Sequence, residues 1–236
     1  MITGIRSAIL TFCAFVPILL LSQENVTTLG LQIKPILVSD IGGAGPFEVA
    51  NGPYRLSIEP RTGLSFGMVI RQGLTKNISA EVGLNRVVRQ YDYAFTDEET
   101  GFQRTLDFGY VNYEIPLKGL VFIQLGERLF MNTGLGPSID LFASDVGSGD
   151  LELEQITLRG QWAKIALDAN LGFEYRTRKS GYIYLGASFH NPFSAVAKSK
   201  VTYRTSTEQN DVIFDLNAGY LTFDIKYYFH EDPERK

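Results

Sequence analysis

The stretch AKIALDANLGFEY, residues 163–175, decides the fold. Ala163, Ile165, Leu167, Ala169, Leu171, Phe173 and Tyr175 share one parity, and Lys164, Asp168, Asn170 and Glu174 share the other. Side chains of an extended chain alternate with period two, so this stretch predicts a strand with one apolar and one polar face. A sandwich strand seldom sustains such alternation, because its apolar face covers only a thin core. After the polar break Arg176 to Gly181 the pattern repeats, with Ile183, Leu185, Ala187 and Phe189 opposing Tyr182, Tyr184, Gly186, Ser188 and His190. Two long runs around a tight polar turn predict a hairpin. Its polar face either meets water or lines the lumen of a barrel whose apolar face meets lipid.

Runs of the same kind flank this hairpin. Leu29, Leu31, Ile33 and Leu37 alternate with Gln32 and Lys34; Leu64, Phe66, Met68 and Ile70 with Ser65 and Arg71; Ile78, Val82 and Leu84 with Glu81 and Asn85. A fourth strand runs from Thr105 through Leu117 towards Gln124 and carries Glu114 and Lys118. Its apolar parity changes near Tyr110, from Leu106 and Phe108 to Val111, Tyr113 and Ile115, which predicts a bulge. Pro116 agrees, since proline donates nothing to a ladder. Leu129, Met131, Leu135 and Ile139 oppose Ser138 and Asp140, and the chain closes with Leu221, Phe223, Ile225, Tyr227 and Phe229 against Asp224 and Lys226.

Counted with the hairpin, these are eight strands. Long connections follow the first, third, fifth and seventh: Asp40 to Asn51, an acidic tip from Tyr91 to Gly101, Ala143 to Gly160, and Ser194 to Gln209. Short turns follow the second, fourth and sixth. That asymmetry predicts an all-β fold, an eight-stranded antiparallel up-and-down transmembrane β-barrel with long loops outside and short turns in the periplasm. Closure pairs residues 219–229 with 28–38, since an open edge is not tolerated in lipid.

The ends of the chain fit this reading. Residues 1–22, with a cation at Arg6 and an apolar run from Ala8 to Leu21, predict a cleaved signal peptide that carries away Cys13, the one cysteine. The mature chain then has no disulfide framework. Residues 23–230 form the outer-membrane barrel and 231–236 a periplasmic tail. A net charge of −4 excludes a nucleic-acid partner that needs a basic stripe.

In the fourth strand, Tyr113-Glu114-Ile115-Pro116-Leu117 resembles a strand motif of the PorT-like small outer-membrane β-barrel domain family. Gly134-Leu135-Gly136-Pro137 is similar to that family's small-residue run, and the aromatic end Tyr227-Tyr228-Phe229 to its last strand. The first strand departs from the family's glycine-rich pattern, and His230 to Lys236 follow the closing aromatic. The resemblance implies a barrel, an outer-membrane location with outer-membrane lipid around it, and the barrel-assembly machinery as a partner of the last strand. It supplies no function, because one fold hosts many.

Taken together, the polar parities place Lys34, Arg71, Glu81, Glu114, Asp140, Lys164, Asp168, Glu174, Asp224 and Lys226 in the lumen as a polar network. An eight-stranded lumen holds side chains only, so these charges are expected to neutralise one another. Ser188 and His190 suggest a hydrolase pair, but residues two apart on one strand stand about 6.5–7 Å apart at the backbone, beyond hydrogen-bond reach. The acidic run Asp145 to Asp150 lacks the closing glutamate of a calcium loop. No Cys/His cluster, phosphate loop or dinucleotide fingerprint is present, so no catalytic residue, cofactor or metal is expected. Tyr175, Tyr182, Tyr227 and Phe229 read as a periplasmic aromatic girdle. The expected role is structural or interactive, with a protein partner engaged through the external loops. A small porin-like channel, a barrel hydrolase using His190 and a soluble lipocalin-like binder are the alternatives.

Overall fold

A computed structural model describes residues 26–41, 45–142, 145–177, 179–205, 208–217 and 219–230. The expected signal peptide and the tail 231–236 lie outside the described residues. In chain order the strands are β1 (Thr27–Leu37), β2 (Phe47–Asn51), β3 (Tyr54–Pro60), β4 (Gly63–Gly73), β5 (Ile78–Asp97), β6 (Gln103–Gln124), β7 (Leu129–Phe142), β8 (Val146–Gly149), β9 (Leu153–Arg159), β10 (Ala163–Arg176), β11 (Tyr182–Pro192), β12 (Ala197–Arg204), β13 (Gln209–Leu216) and β14 (Tyr220–Tyr228). Eight of them, in the order β1-β4-β5-β6-β7-β10-β11-β14, close into an antiparallel ring. The closing ladder runs from Gly30 opposite Tyr228 to Leu37 opposite Leu221. The Phe229 amide donates to the Leu29 carbonyl at 2.8 Å to finish it.

In the ring the usual burial order is reversed. Leu31, Met68, Leu84, Leu117, Leu135, Leu171 and Leu185 point outward and are about half exposed, while Lys34, Glu81, Lys118, Asp168 and Lys226 are almost completely buried inside. Such a surface is stable only against hydrocarbon, and a closed ladder is the one β arrangement that leaves no backbone group unpaired there. Among the alternatives, a soluble lipocalin-like barrel requires the opposite parity along these strands.

About 9–11 residues suffice for a tilted strand to cross a bilayer. β5 has 20 residues and β6 has 22, so both continue well past the apolar belt. The pairing of β5 with β6 runs from Ile78 opposite Val121 to Thr96 opposite Gln103 without a slip of register. The expected bulge near Tyr110 is therefore absent. Phe108, Tyr110, Asn112, Glu114 and Lys118 all face inward. What changes near Tyr110 is the surroundings: in lipid the apolar side chains turn out, and beyond it they turn in.

The expected long loops are also largely strand. β2 and β3 form a hairpin paired onto the outer part of β5, and the acidic tip from Tyr91 shrinks to the turn between β5 and β6. The connections after β7 and β11 supply β8, β9, β12 and β13, which make a separate four-stranded sheet in the order β13-β12-β9-β8. Between the two layers lies an apolar core of Leu56, Ile58, Tyr93, Phe95, Leu153, Val201, Tyr203 and Phe214 with their neighbours. Tyr93 meets Phe214 edge-on at 5.7 Å, and Phe95 meets Tyr203 at 5.1 Å. The molecule is thus a lipid-facing barrel crowned by a water-facing sandwich.

Candidate functional site

The inward parity of all eight ring strands projects charged or ionisable side chains into one lumen, and their partners follow from which strands stand side by side or face each other. Towards the short turns, Arg71 of β4 reaches Glu174 of β10 at 2.6 Å and Glu81 of β5 at 3.7 Å. Its guanidinium stacks on the Tyr228 ring, 3.7 Å from the centroid. Glu81 is the hub. It also accepts from Lys226 at 2.7 Å, lies 3.7 Å from Lys118, and accepts from the Tyr228 hydroxyl. Lys118 bridges on to Asp168 at 3.2 Å, and Lys34 stands 4.0 Å from Asp224. Unpaired charges at such depth are prohibitive, and truncating one partner of a buried pair costs roughly 3–5 kcal/mol.

Small residues make the space for this plug. Gly172 and Gly186 face each other across β10 and β11. A Cβ on Gly172 would lie 2.5 Å from the Gly186 Cα and 2.7 Å from the Tyr184 ring. Tyr184 therefore lies over the glycine pair, and its hydroxyl accepts from the Asn170 amide at 3.1 Å. At the mouth on the short-turn side a cavity of about 180 Å³ is lined by Thr28, Arg71, Ser79, Phe122, Arg176 and Tyr182. Arg71 forms part of the lining of this mouth.

Towards the sandwich the network changes character. His190 of β11 holds Asp140 of β7 at 2.9 Å through Nε2, lies 3.7 Å from Glu114 of β6, and turns Nδ1 to Asp168 of β10 at 3.8 Å. Its ring stacks on Tyr220 at 4.8 Å, and the Tyr220 hydroxyl donates to Glu114. Ser138 donates to Asp140 at 3.0 Å. Above this layer Arg89 stands 5.1 Å from the Tyr220 centroid, where the apolar core begins.

Nine of the ten residues expected in the lumen are buried there: Lys34, Arg71, Glu81, Glu114, Asp140, Asp168, Glu174, Asp224 and Lys226. Lys164 is the exception. It stands opposite Asp140 in the ladder but near the rim, partly exposed, and donates to Ser194 at 3.2 Å. A flexible ammonium with access to water gains nothing by entering the plug. Asp168 pairs with Lys118. Tyr182 is also reassigned, since it faces inward beside Val69 and Tyr228 while Tyr175, Tyr227 and Phe229 stay on the outer surface. Sequence reasoning misses Arg89, because the clear alternation of the third strand stops at Asn85 while β5 runs on to Asp97. The odd parity Glu81, Asn85, Val87, Arg89 continues past Asn85 and is the available signal.

The suspected hydrolase pair is partnered elsewhere. Ser188 donates to Asp224, while His190 engages Asp140. The acidic run from Asp145 is likewise occupied. Asp150 accepts from the amides of Leu153 and Glu152 at 3.1 and 3.0 Å and pairs with Arg104 at 2.5 Å. Those amides, with Arg104 behind them, hold its carboxyl below the usual carboxylate range.

Comparison with known structures bears on the same architecture. The chain is similar to the crystal structure of the outer membrane protein OprG from Pseudomonas aeruginosa, with a TM-score of 0.52 at 10% identity, over 87% of this chain and 96% of OprG. This chain has the fold of an eight-stranded outer-membrane β-barrel. The solid-state NMR structure of the outer membrane protein AlkL in lipid bilayers is also similar, with a TM-score of 0.39 at 20% identity over 89% of this chain and 92% of AlkL. No protein-family model and no curated protein matches. At such identities the likeness concerns the fold. The apolar belt and the closed ladder place the barrel in the outer membrane, and what its lumen does follows from its own side chains.

Proposed function

We propose that this outer-membrane barrel is plugged and non-conducting, and that it serves a structural or interaction role through the sandwich it carries outside the membrane. One observation carries the reading. Long charged side chains from facing strands meet across the lumen in direct pairs, from Arg71 with Glu174 up to His190 with Asp140, and the aromatic core closes the barrel above them. An eight-stranded lumen has no width left for a water column once such side chains fill it. The sandwich supplies the surface on which an external protein partner docks. Barrel-assembly machinery receives the last strand, and within outer-membrane barrels we group the chain with PorT-like domains on Tyr113 to Leu117 and Gly134 to Pro137. Separate partners for Ser188 and His190 support a non-enzymatic role.

Planar-bilayer recording of the refolded protein tests this. No steady current above the bare bilayer is expected. Ohmic conductance that scales with salt, and that changes in Asp168→Ala or Lys226→Ala, would replace the plug with a porin-like channel.

A further inference from the structure

We propose that the upper lumen is a binding site for one divalent first-row transition-metal ion, held by Glu114, Asp140 and His190. The three come from β6, β7 and β11, and one ligand atom from each lies within 4.8 Å of the others. His190 Nε2 stands 2.9 Å from Asp140 Oδ2 and 3.7 Å from Glu114 Oε1. Ligand atoms held about 2.0–2.2 Å from a tetrahedral zinc ion lie about 3.4 Å from one another. The two spacings from His190 fall on either side of that value, so side-chain shifts bring the three ligands to an ion whose fourth position is left for a water molecule.

A second observation points to a ligand. Glu114 is 1% exposed, and its Oε2 has no hydrogen-bond partner. An orphaned carboxylate oxygen at this depth is costly unless something satisfies it, and a cation does so directly. Its neighbours are already arranged as outer partners that orient the two carboxylates through their other oxygens: the Tyr220 hydroxyl on Glu114 Oε1 and the Ser138 hydroxyl on Asp140 Oδ1. Asp168 Oδ2 lies 3.8 Å from His190 Nδ1, too far for a hydrogen bond but near enough that a small side-chain shift on metal binding would let it accept from Nδ1 and leave Nε2 free to coordinate. The donor set also selects the ion. Two carboxylates with one imidazole and no thiolate suit zinc, manganese or ferrous iron better than copper(I), and the imidazole disfavours magnesium and calcium.

The rival state of the same residues is a protonated His190 shared by the carboxylates. Coordination requires neutral imidazole, so metal and proton compete for Nε2. Metal-free full-length mature protein, refolded into detergent, is titrated with zinc chloride alone at pH 7.5 and at pH 5.5, with folding checked by heat-modifiable migration. The expected result is one ion per folded chain, bound more weakly at the lower pH. His190→Gln and Asp140→Asn should each weaken it by more than about tenfold, while Asp150→Asn, on the exposed acidic turn, leaves it unchanged. Cobalt(II) substitution gives a second readout, a visible d–d band that vanishes in His190→Gln. Folded wild-type protein that takes up no stoichiometric zinc overturns the proposal. So does zinc binding that survives both lumen substitutions and is lost in Asp150→Asn. If the lumen variants fail to fold, the intensity of the wild-type cobalt band decides alone: a four-coordinate site in a fixed shell absorbs far more strongly than six-coordinate cobalt in water or on exposed carboxylates, so a weak six-coordinate spectrum overturns the proposal. Conductance is a separate measurement, so failure here leaves the plug reading untouched.

Discussion

The two halves of β5 and β6 follow opposite rules within single strands. Below Asn85 and Glu114 the inward side chains include the charged Glu81 and Lys118 beside Ser79, Leu120 and Phe122, and the outward ones are Val82, Leu84 and Leu117; above, the inward ones beyond Arg89 are mostly aromatic, among them Tyr91, Tyr93, Phe95 and Phe108, and the outward ones include Gln90 and Asp92. The backbone does not notice the change, since the ladder keeps one register throughout. Hydrophobic periodicity therefore reports the solvent on each face as much as it reports the strand. A change of parity along a strand has two causes, a bulge or a boundary, and here it is the boundary.

The largest expected effects lie in the plug and the sandwich core, and they differ in kind. Glu81→Ala leaves Lys226 without its paired carboxylate and takes one of two carboxylates from Arg71 and from Lys118, which keep Glu174 and Asp168, and should cost roughly 3–5 kcal/mol. Leu56→Ala removes a side chain that is fully buried in the sandwich and should cost roughly 2–5 kcal/mol. Reversible urea unfolding from lipid vesicles measures both. If Glu81→Ala proved as stable as wild type, the membrane half would not depend on paired charge and the contrast would collapse.

A sharper version uses the outer faces, where one substitution should have two outcomes. Leu185→Arg puts a charge on the apolar belt and should cost roughly 2–4 kcal/mol near the midplane. Gln90→Arg, on the outward parity beyond the belt, should stay within about 0.5 kcal/mol. Equal losses at both positions would place the boundary elsewhere on β5.

These contrasts also show what was legible in the chain. The eight ring strands, their closure and nine lumen residues follow from alternation, because lipid on one side and a narrow lumen on the other act on every residue of a crossing strand. The sandwich was not legible. Its strands are short, such as β8 with Val146–Gly149, and their pairing partners are distant, such as Lys200 opposite Ile156. Glycine- and polar-rich composition there reads as loop. The convergence of Glu114, Asp140 and His190 was hidden for a related reason. They lie on three strands whose inward parity is visible but whose height along the barrel axis is fixed only by stagger.

The smallest effect expected is at the exposed turn of the sandwich. There Asp150 accepts from the amides of Glu152 and Leu153 and meets Arg104, and these donors lower its pKa in the folded state. A depressed folded pKa means that the unfolded chain binds more protons as pH falls, so this group stabilises the turn above the unfolded value of about 3.9 and ceases to do so as pH drops through the lower folded value. Because Asp150 is solvated, the loss is local: the β8–β9 turn should loosen while the ring stays closed. Amide exchange at Glu152 and Leu153, followed from pH 6 to pH 2.5, should rise beyond its intrinsic pH dependence with a midpoint below 3.9, and Asp150→Asn should remove that midpoint. The same pH range is a contrast between the halves, since the ring ladder at Gly30 and Tyr228 should keep its protection. Loss of protection in the ring at the same midpoint would mean that turn and barrel open as one unit, and the division between a lipid-held ring and a water-held sandwich would fail.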